Sequence, residues 1–279
     1  MARVAIGIPV FNEEVYIRET LRSVLRQFES FSDIEICVSD NSSTDSSLDE
    51  VEKAIDDFSS TSSRVLVLKN SSNQGAHFNF WNVFDNTDSE YFLWIGAHDQ
   101  ISSNYIAEGV KKLDVNSNVA MCCGVHKLLD PTGNTIEKEV KYEFSQRNRV
   151  ERYLRSLAQL TNCYIFHSLF RRKALVGFDK TKQAPSLDHV LISRLLWSGC
   201  LVQSEKISYL RRYFPSENRL ANEEKGNYVS RLNNVEFYDA YLSDLANLTF
   251  DLPKPVKNAL VQRASDLLIK RFGLPFIQP

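Results

Sequence analysis

The stretch Val4-Ala5-Ile6-Gly7-Ile8-Pro9-Val10-Phe11-Asn12-Glu13-Glu14 decides how the chain is read. Its first seven residues are a short apolar run that stops at a polar cluster, the pattern of a buried strand. Ile17, Leu21, Val24, Leu25 and Phe28 then recur at helical spacing, which predicts a helix with one apolar face. Asn12 is placed to cap it, and Glu13 and Glu14 suit the positive end of its dipole. The alternation continues outward. Ile34, Ile36 and Val38 mark a second strand, and Leu48, Val51, Ile55 and Phe58 a second helix. Arg64–Lys69 reads as a strand, Phe80, Trp81 and Phe84 as part of a short helix, and Tyr91–Ile95 as a fourth strand. This order predicts an α/β fold whose mostly parallel sheet is covered by helices on both faces. Ligands bind such sheets beyond the carboxyl ends of the strands. The polar clusters Phe11–Glu13, Asp40–Asp45, Asn73–Gly75 and Gly96–Asp99 sit at those ends.

Beyond residue 115 the pattern changes. Val119–Leu129 and Thr135–Tyr142 predict a hairpin around Asp130-Pro131-Thr132-Gly133. Helices are expected near 147–160 and 188–198, strands near 163–170 and 200–213, and helix over the last sixty-odd residues. The 279 residues and formal charge of −2 fit a soluble globular enzyme and give no broad footprint for nucleic acid. The charge is unevenly spread. Residues 252–279 hold five basic residues and one acid, so they carry +4 and the rest carries −6. Val256, Leu260, Val261, Ala264, Leu267, Leu268 and Phe272 line one face of that basic segment. Such a helix packs on its own domain, docks on a partner or lies on an anionic membrane. Five cysteines without a CxxC pair read as reduced thiols. With no signal-peptide pattern and no run long enough to span a bilayer, the expectation is a cytoplasmic protein, in peripheral contact with the membrane if the basic segment binds it.

Three carboxylates carry candidate chemistry. Asp40, between a strand and a helix, can accept hydrogen bonds from a base or ribose edge, or can simply cap a turn. His98 and Asp99 offer nitrogen and oxygen donors to a divalent cation, or Asp99 caps the next helix. Asp188 opens a helix and can serve as a general base, as an N-cap, or as both.

Taken together and in order, these motifs resemble family 2 glycosyltransferases, which have the GT-A fold. Ala5–Glu14 resembles the family's opening. Ser39-Asp40-Asn41-Ser42-Ser43-Thr44-Asp45 resembles its acidic turn, and Asn73-Gln74-Gly75 its Asn-x-Gly loop. Trp94–Asp99 falls where the family carries Asp-x-Asp, and Leu187–Leu195 resembles its Glu-Asp-x-x-Leu-x-x-Arg-Leu segment. Ser168–Arg172 also fits, and the likeness covers about residues 3–216. It implies a Rossmann-like nucleotide-diphospho-sugar transferase domain over 1–216 with a helical extension over 217–279. Pro9, Phe11, Glu13, Asp40, Ser42, Asn73 and Gly75 would hold the donor nucleotide. Asp99 and His98 would hold Mn²⁺ or Mg²⁺ on its diphosphate, Arg212 would meet the diphosphate, and Asp188 would deprotonate the acceptor hydroxyl. The implied partners are a nucleotide-sugar donor and a glycan or lipid-linked acceptor. The implied role is an inverting transfer in bacterial surface-polysaccharide biosynthesis.

Two departures accompany the likeness. Gly96 and His98 stand where Asp-x-Asp has its two acids, and Phe214 stands where many relatives have a histidine. They motivate a second reading, a non-catalytic protein that binds a nucleotide sugar or a partner transferase; a retained Asp188 opposes it. A sugar-phosphate nucleotidyltransferase is a weaker reading, because Gly7–Asn12 is no Gly-rich, Arg-containing phosphate loop.

Overall fold

The computed structural model describes residues 2–58, 64–136, 141–160, 163–184, 186–214 and 235–273. The chain forms two compact units. The first comprises Met1–Tyr142, His167–Lys173 and Val202–Tyr213, and the second Glu143–Phe166, Ala174–Leu201 and Phe214–Pro279.

The first unit is built on β1 (Ala2–Val10), which lies parallel between β2 (Ile34–Asp40) and β4 (Ser89–Trp94). Ile6 sits opposite Ile36 on one side and Leu93 on the other. The continuous apolar run is explained by this central place: Val4, Ile6, Ile8 and Val10 are all in the core. Fully burying one such side chain contributes about 1.5–3 kcal/mol, against ~1–2 kcal/mol for fixing its backbone. β3 (Val65–Lys69) extends the parallel half beyond β2. Helices α1 (Ile17–Leu25), α2 (Ser47–Asp56) and α3 (Ala76–Asp85) connect these strands.

On the other side of β4 the sheet becomes antiparallel. Its remaining strands are β5 (Gln100–Ile101), β6 (Val119–Leu129), β7 (Thr135–Ile136), β8 (Leu169–Arg171) and β9 (Cys200–Arg212), with α4 (Tyr105–Val115) before β6. The order is β3-β2-β1-β4-β8-β6-β9-β5, with β7 paired to β6. Gln100 opposite Leu210 and Ile101 opposite Tyr209 bring the end of β9 beside the turn that follows β4.

The second unit is helical: α5 (Arg149–Gln159), α6 (Leu187–Ser198), α7 (Val235–Leu248) and α8 (Lys254–Phe272). α5 packs on α6 and α8, and α7 packs on α6 and α8. Arginines finish the helix ends, whose last carbonyls lack intrahelical partners. Arg152 donates to the carbonyls of Leu196 and Trp197 at the end of α6. Arg271 donates to those of Ser156, Leu157 and Leu160 at the end of α5. The basic terminal helix thus buries Leu260, Ala264 and Leu268 inside its own unit, the packed alternative of the sequence reading. Units and sequence blocks also differ: segments on both sides of residue 216 share this helical unit, because α5 and α6 need α7 and α8 to cover their apolar faces.

Local differences have local causes. Asn12 does not cap α1, which begins only after Tyr16; its side chain is taken by the neighbouring loop. Of the expected strand Thr135–Tyr142, Thr135–Ile136 form β7, and 137–140 lie outside the described residues. The expected strand near 163–170 is a short 3₁₀ turn, Tyr164–His167, followed by β8. All five cysteines are free thiols.

His167 in the first unit and His189 in the second are held neutral by their surroundings. His167 stacks on Tyr209 and bonds the Trp94 carbonyl at 3.0 Å; His189 bonds the Leu160 carbonyl at 2.9 Å and the Tyr241 hydroxyl. Burial pushes each down to about 4 from the ordinary 6.5. Unfolded histidines therefore take up protons before folded ones do, so stability is full above pH 6.5 and is lost as pH falls toward 4. Thermal unfolding should show Tm falling across that window, with a shallower fall for His189→Gln; equal slopes would contradict this account of His189.

Candidate active site

The carboxyl ends of β1 and β2 carry two loops laced together by side chains. The Asn12 amide donates to Ser43 Oγ at 3.0 Å, Glu13 N to Ser47 Oγ at 2.7 Å, and Glu14 N to Asp45 Oδ2 at 3.1 Å. In return Thr44 N donates to Asn12 Oδ1 at 2.8 Å and Ser46 N to Glu14 Oε2 at 2.9 Å. Asn12 and Ser42 adopt left-handed backbone, with φ of 55° and 64°. Phe11 closes β1 as an exposed aromatic ring, while Pro9 is half-buried.

Asp40 ends β2 almost wholly buried. Its Oδ2 accepts from Ser43 N at 3.1 Å, but its buried Oδ1 has no hydrogen-bond partner. A buried carboxylate oxygen left unpaired is costly, so this atom is a ready acceptor for a ligand N–H or O–H. Beside it Asn41 acts as a hub. Its amide donates to Asn73 Oδ1 at 2.8 Å and the Gly75 carbonyl at 3.2 Å, and its Oδ1 accepts from Gln74 N at 2.9 Å. Gly75 turns with φ of 85°, a conformation that favours glycine, so the Asn73–Gly75 loop is pinned next to Asp40.

The third group lies on the turn after β4, closed by Asp99 N donating to the Gly96 carbonyl at 3.0 Å. Asp99 is buried: Oδ2 accepts from the Tyr209 hydroxyl at 2.7 Å and Oδ1 from Arg212 N at 2.9 Å. This explains Gly96. A Cβ there would stand 2.8 Å from Asp99 Oδ2, so a side chain where Asp-x-Asp would have its first acid would have to push that carboxylate away from Tyr209. His98 is half-buried, with Nδ1 2.9 Å from Glu13 Oε1 and Nε2 3.9 Å from Asp99 Oδ1. Desolvation lowers its proton affinity, but the Glu13 hydrogen bond and the charges of Asp99 and Glu13 prevail, and its pKa is raised.

No group of three His, Cys, Asp or Glu side chains suited to a metal occurs among the described residues. His98 Nε2 and Asp99 Oδ1 supply two donors, and Glu13 steadies the far side of the imidazole as carboxylates do behind metal-binding histidines. That set fits a Mn²⁺ or Mg²⁺ ion completed by substrate phosphate and water, which is how such hard cations are commonly held.

Arg212 is used inside the protein. Its guanidinium donates to Glu19 Oε2 at 2.8 Å, to the His98 carbonyl at 3.2 Å and to the Pro131 carbonyl at 3.0 Å, and lies over the Tyr16 ring. With its side chain 2% exposed, it braces the His98–Asp99 turn and has little reach toward a diphosphate. Asp188 belongs to the second unit. It sits in the first turn of α6, where Oδ1 accepts its neighbour's N–H, from His189, at 2.9 Å; the N-cap position is taken by Ser186. Sequence reading missed Asn41, Tyr209 and Glu19. Tyr209 and Glu19 leave no local signal, whereas Asn79 and Asn82, three apart on the aromatic helix α3, point to a polar strand end: Asn79 donates to the Val10 and Ser39 carbonyls and Asn82 to Ser39 Oγ.

A parallel half-sheet continued by antiparallel strands, with a buried acid and a His-Asp turn at its strand ends, has the GT-A architecture. The chain matches Glycosyl transferase family 2 over residues 5–177 and belongs to that family. Among characterised proteins it is 24% identical over 208 residues to the abequosyltransferase RfbV of Salmonella typhimurium, covering 70% of this chain and 62% of that protein's length. Among solved structures it resembles S. aureus TarS 1–349 in complex with UDP-GlcNAc, at TM-score 0.66 and 15% identity over 96% of this chain and 73% of that one. It also resembles the mannosyltransferase PcManGT of Pyrobaculum calidifontis in complex with GDP-Man and Mn²⁺, at TM-score 0.55 and 14% identity over 99% and 76%. These structural likenesses concern the fold.

Gly96→Ala should displace Asp99 from Tyr209. The expected result is nucleoside-diphosphate binding weakened roughly tenfold, as for one charge-assisted hydrogen bond, with a lower Tm; calorimetric binding equal to wild type would refute the close-packing argument.

Proposed function

We propose that the chain is an inverting glycosyltransferase that moves a sugar from a nucleoside-diphosphate donor to a hydroxyl of a glycan or lipid-linked acceptor. The observation that carries this reading is the unpaired Asp40 Oδ1, buried among laced loops at the carboxyl ends of β1 and β2. A nucleobase or ribose group that donates to it would restore the missing hydrogen bond, with Phe11 offering a ring to stack on and the Asn73–Gly75 loop closing one side. Glu13 and Ser42 stand in the same loops.

The diphosphate would lie toward His98 and Asp99. A divalent cation held there would neutralise charge building on the leaving group. Glu13 orients the imidazole, and Tyr209 and Arg212 hold Asp99 in place. Asp188 takes the proton of the acceptor hydroxyl as its oxygen bonds to the anomeric carbon. The carbon–oxygen bond to the diphosphate breaks on the opposite face, so configuration inverts and a nucleoside diphosphate leaves. Binding both reactants in one geometry supplies the rest of the acceleration.

A role in surface-polysaccharide assembly is supported by the abequosyltransferase relative. Among the described residues no helix is long and apolar enough to cross a membrane. The apolar face of α8 is used inside its unit, so peripheral attachment to a membrane would fall to its exposed basic residues Lys254, Arg263 and Lys270.

A screen of nucleotide sugars by thermal shift, followed by transfer assays with and without Mn²⁺, tests the reading. Asp188→Asn should lower transfer by about 10²–10⁴-fold, the usual contribution of a positioned base, while leaving donor binding intact. Normal transfer by that variant would remove Asp188 from the mechanism. Donor binding by wild type with neither hydrolysis nor transfer would favour the non-catalytic binding protein.

A further inference from the structure

The turn between α7 and α8 holds apolar side chains out to solvent. Phe250 is 84% exposed, the most open large apolar side chain among the described residues. One exposed apolar residue is ordinary on a protein surface. Phe250 has company: Val256, in the first turn of α8, is 48% exposed, and Pro253, Pro255 and Ala259 are exposed beside it in sequence.

The turn is pinned from within. Thr249 is buried, and its hydroxyl donates to the Leu245 carbonyl at 2.7 Å. The Leu252 amide donates to the Thr249 carbonyl at 3.1 Å. Lys257 ties α8 back to α7, with Nζ donating to the Ala246 carbonyl at 3.1 Å. On the other flank Arg149, at the start of α5, pairs with Asp251 at 2.9 Å. Phe250 falls between these ties, so the backbone itself presents its ring to solvent.

The charge beside the ring has one sign. From 254 to 263 the charged residues are Lys254, Lys257 and Arg263, and Asp251 is neutralised by Arg149. At the start of α5 exposed Arg147 offsets exposed Glu151, and Asp266 comes only a turn after Arg263. This pattern selects among occupants. A second copy would set Lys254 and Arg263 against their own images across a two-fold axis, where like charges repel. The core of a protein interface is depleted of lysine and seats its aromatic anchor in a pocket. An anionic bilayer suits both features, since its phosphates meet the cations while its acyl region takes the ring.

We propose that the α7–α8 turn is a membrane-docking tip. Phe250 enters an anionic leaflet, and Lys254, Lys257 and Arg263 meet its phosphates. Leu260, Ala264 and Leu268 are buried within the unit, so α8 does not lie flat on the bilayer and the turn enters first. This makes specific the peripheral attachment of the transferase reading, but it stands without the sugar-transfer chemistry.

The test is sedimentation of the full chain, at low ionic strength, with vesicles of phosphatidylcholine alone or mixed with phosphatidylglycerol. Wild type should bind the anionic vesicles and leave the neutral ones. Phe250→Ser should weaken that binding roughly tenfold or more, the effect of removing one large apolar side chain from an apolar phase. Lys254→Gln should weaken it roughly fivefold, as for one basic residue at an anionic surface. Both positions are exposed, so the variants should match wild type in circular dichroism and Tm. Phe250→Trp reads insertion directly, because Trp81, Trp94 and Trp197 are buried. Its emission should move to the blue on anionic vesicles and be quenched by brominated acyl chains. No binding of wild type to anionic vesicles would overturn the proposal, as would binding unchanged in Phe250→Ser or emission of Phe250→Trp that bromolipid leaves unquenched. Self-association of wild type that Phe250→Ser abolishes, without vesicle binding, would assign the tip to a second copy instead. The assay contains no nucleotide or sugar, so its failure and that of the transferase reading are told apart.

Discussion

Everything at the candidate site follows from one constraint: backbone donors at the carboxyl ends of β1 and β2 have no further strand to pair with. The amides of Asn12, Glu13, Glu14, Ser43, Thr44 and Ser46 are satisfied by side chains from the same two loops. Each such hydrogen bond contributes about 0.5–1.5 kcal/mol net, so together they set the loop shape. The lacing fixes two loops that would otherwise be mobile and holds Glu13 where it can reach His98. One acceptor is left over in this accounting, Asp40 Oδ1, buried at the carboxyl end of β2.

A second constraint works on the turn after β4. Asp99 is drawn inward by Tyr209 and the Arg212 amide, and Arg212 is locked by Glu19 and by carbonyls of neighbouring loops. With that carboxylate buried, a side chain at position 96 would displace it, and the outward donor becomes His98. The two departures from Asp-x-Asp are thus linked. Gly96 accommodates Asp99, and His98 with Glu13 replaces a carboxylate by an imidazole whose orientation is set by a hydrogen bond.

What could be read from the sequence was whatever local pattern determines. The apolar run through Val10, the helical spacing from Ile17 and the acid at the end of a strand gave β1, α1 and Asp40, because burial and chain direction set them. Partnerships across the fold left no such trace. Nothing near Arg212 says that Glu19 will neutralise it, so it reads as a free cation when it is a brace. Asn12 looks like a helix cap because capping is a local rule, yet a loop some thirty residues onward takes its side chain. The helical unit escaped as a unit because its segments are separated by strands, and only packing shows that α5 and α6 belong with α7 and α8.

Asp40 therefore carries the central proposal, that its unpaired oxygen accepts a hydrogen bond from a nucleoside. The most direct measurement is titration calorimetry of UDP, GDP, CDP and dTDP against wild type and Asp40→Ala, with Mn²⁺ present. The account predicts one-site binding of at least one nucleoside diphosphate to wild type, weakened roughly tenfold or more in the variant, with the fold intact by circular dichroism. Equal affinity in the two proteins, or no nucleotide binding by wild type, would contradict it.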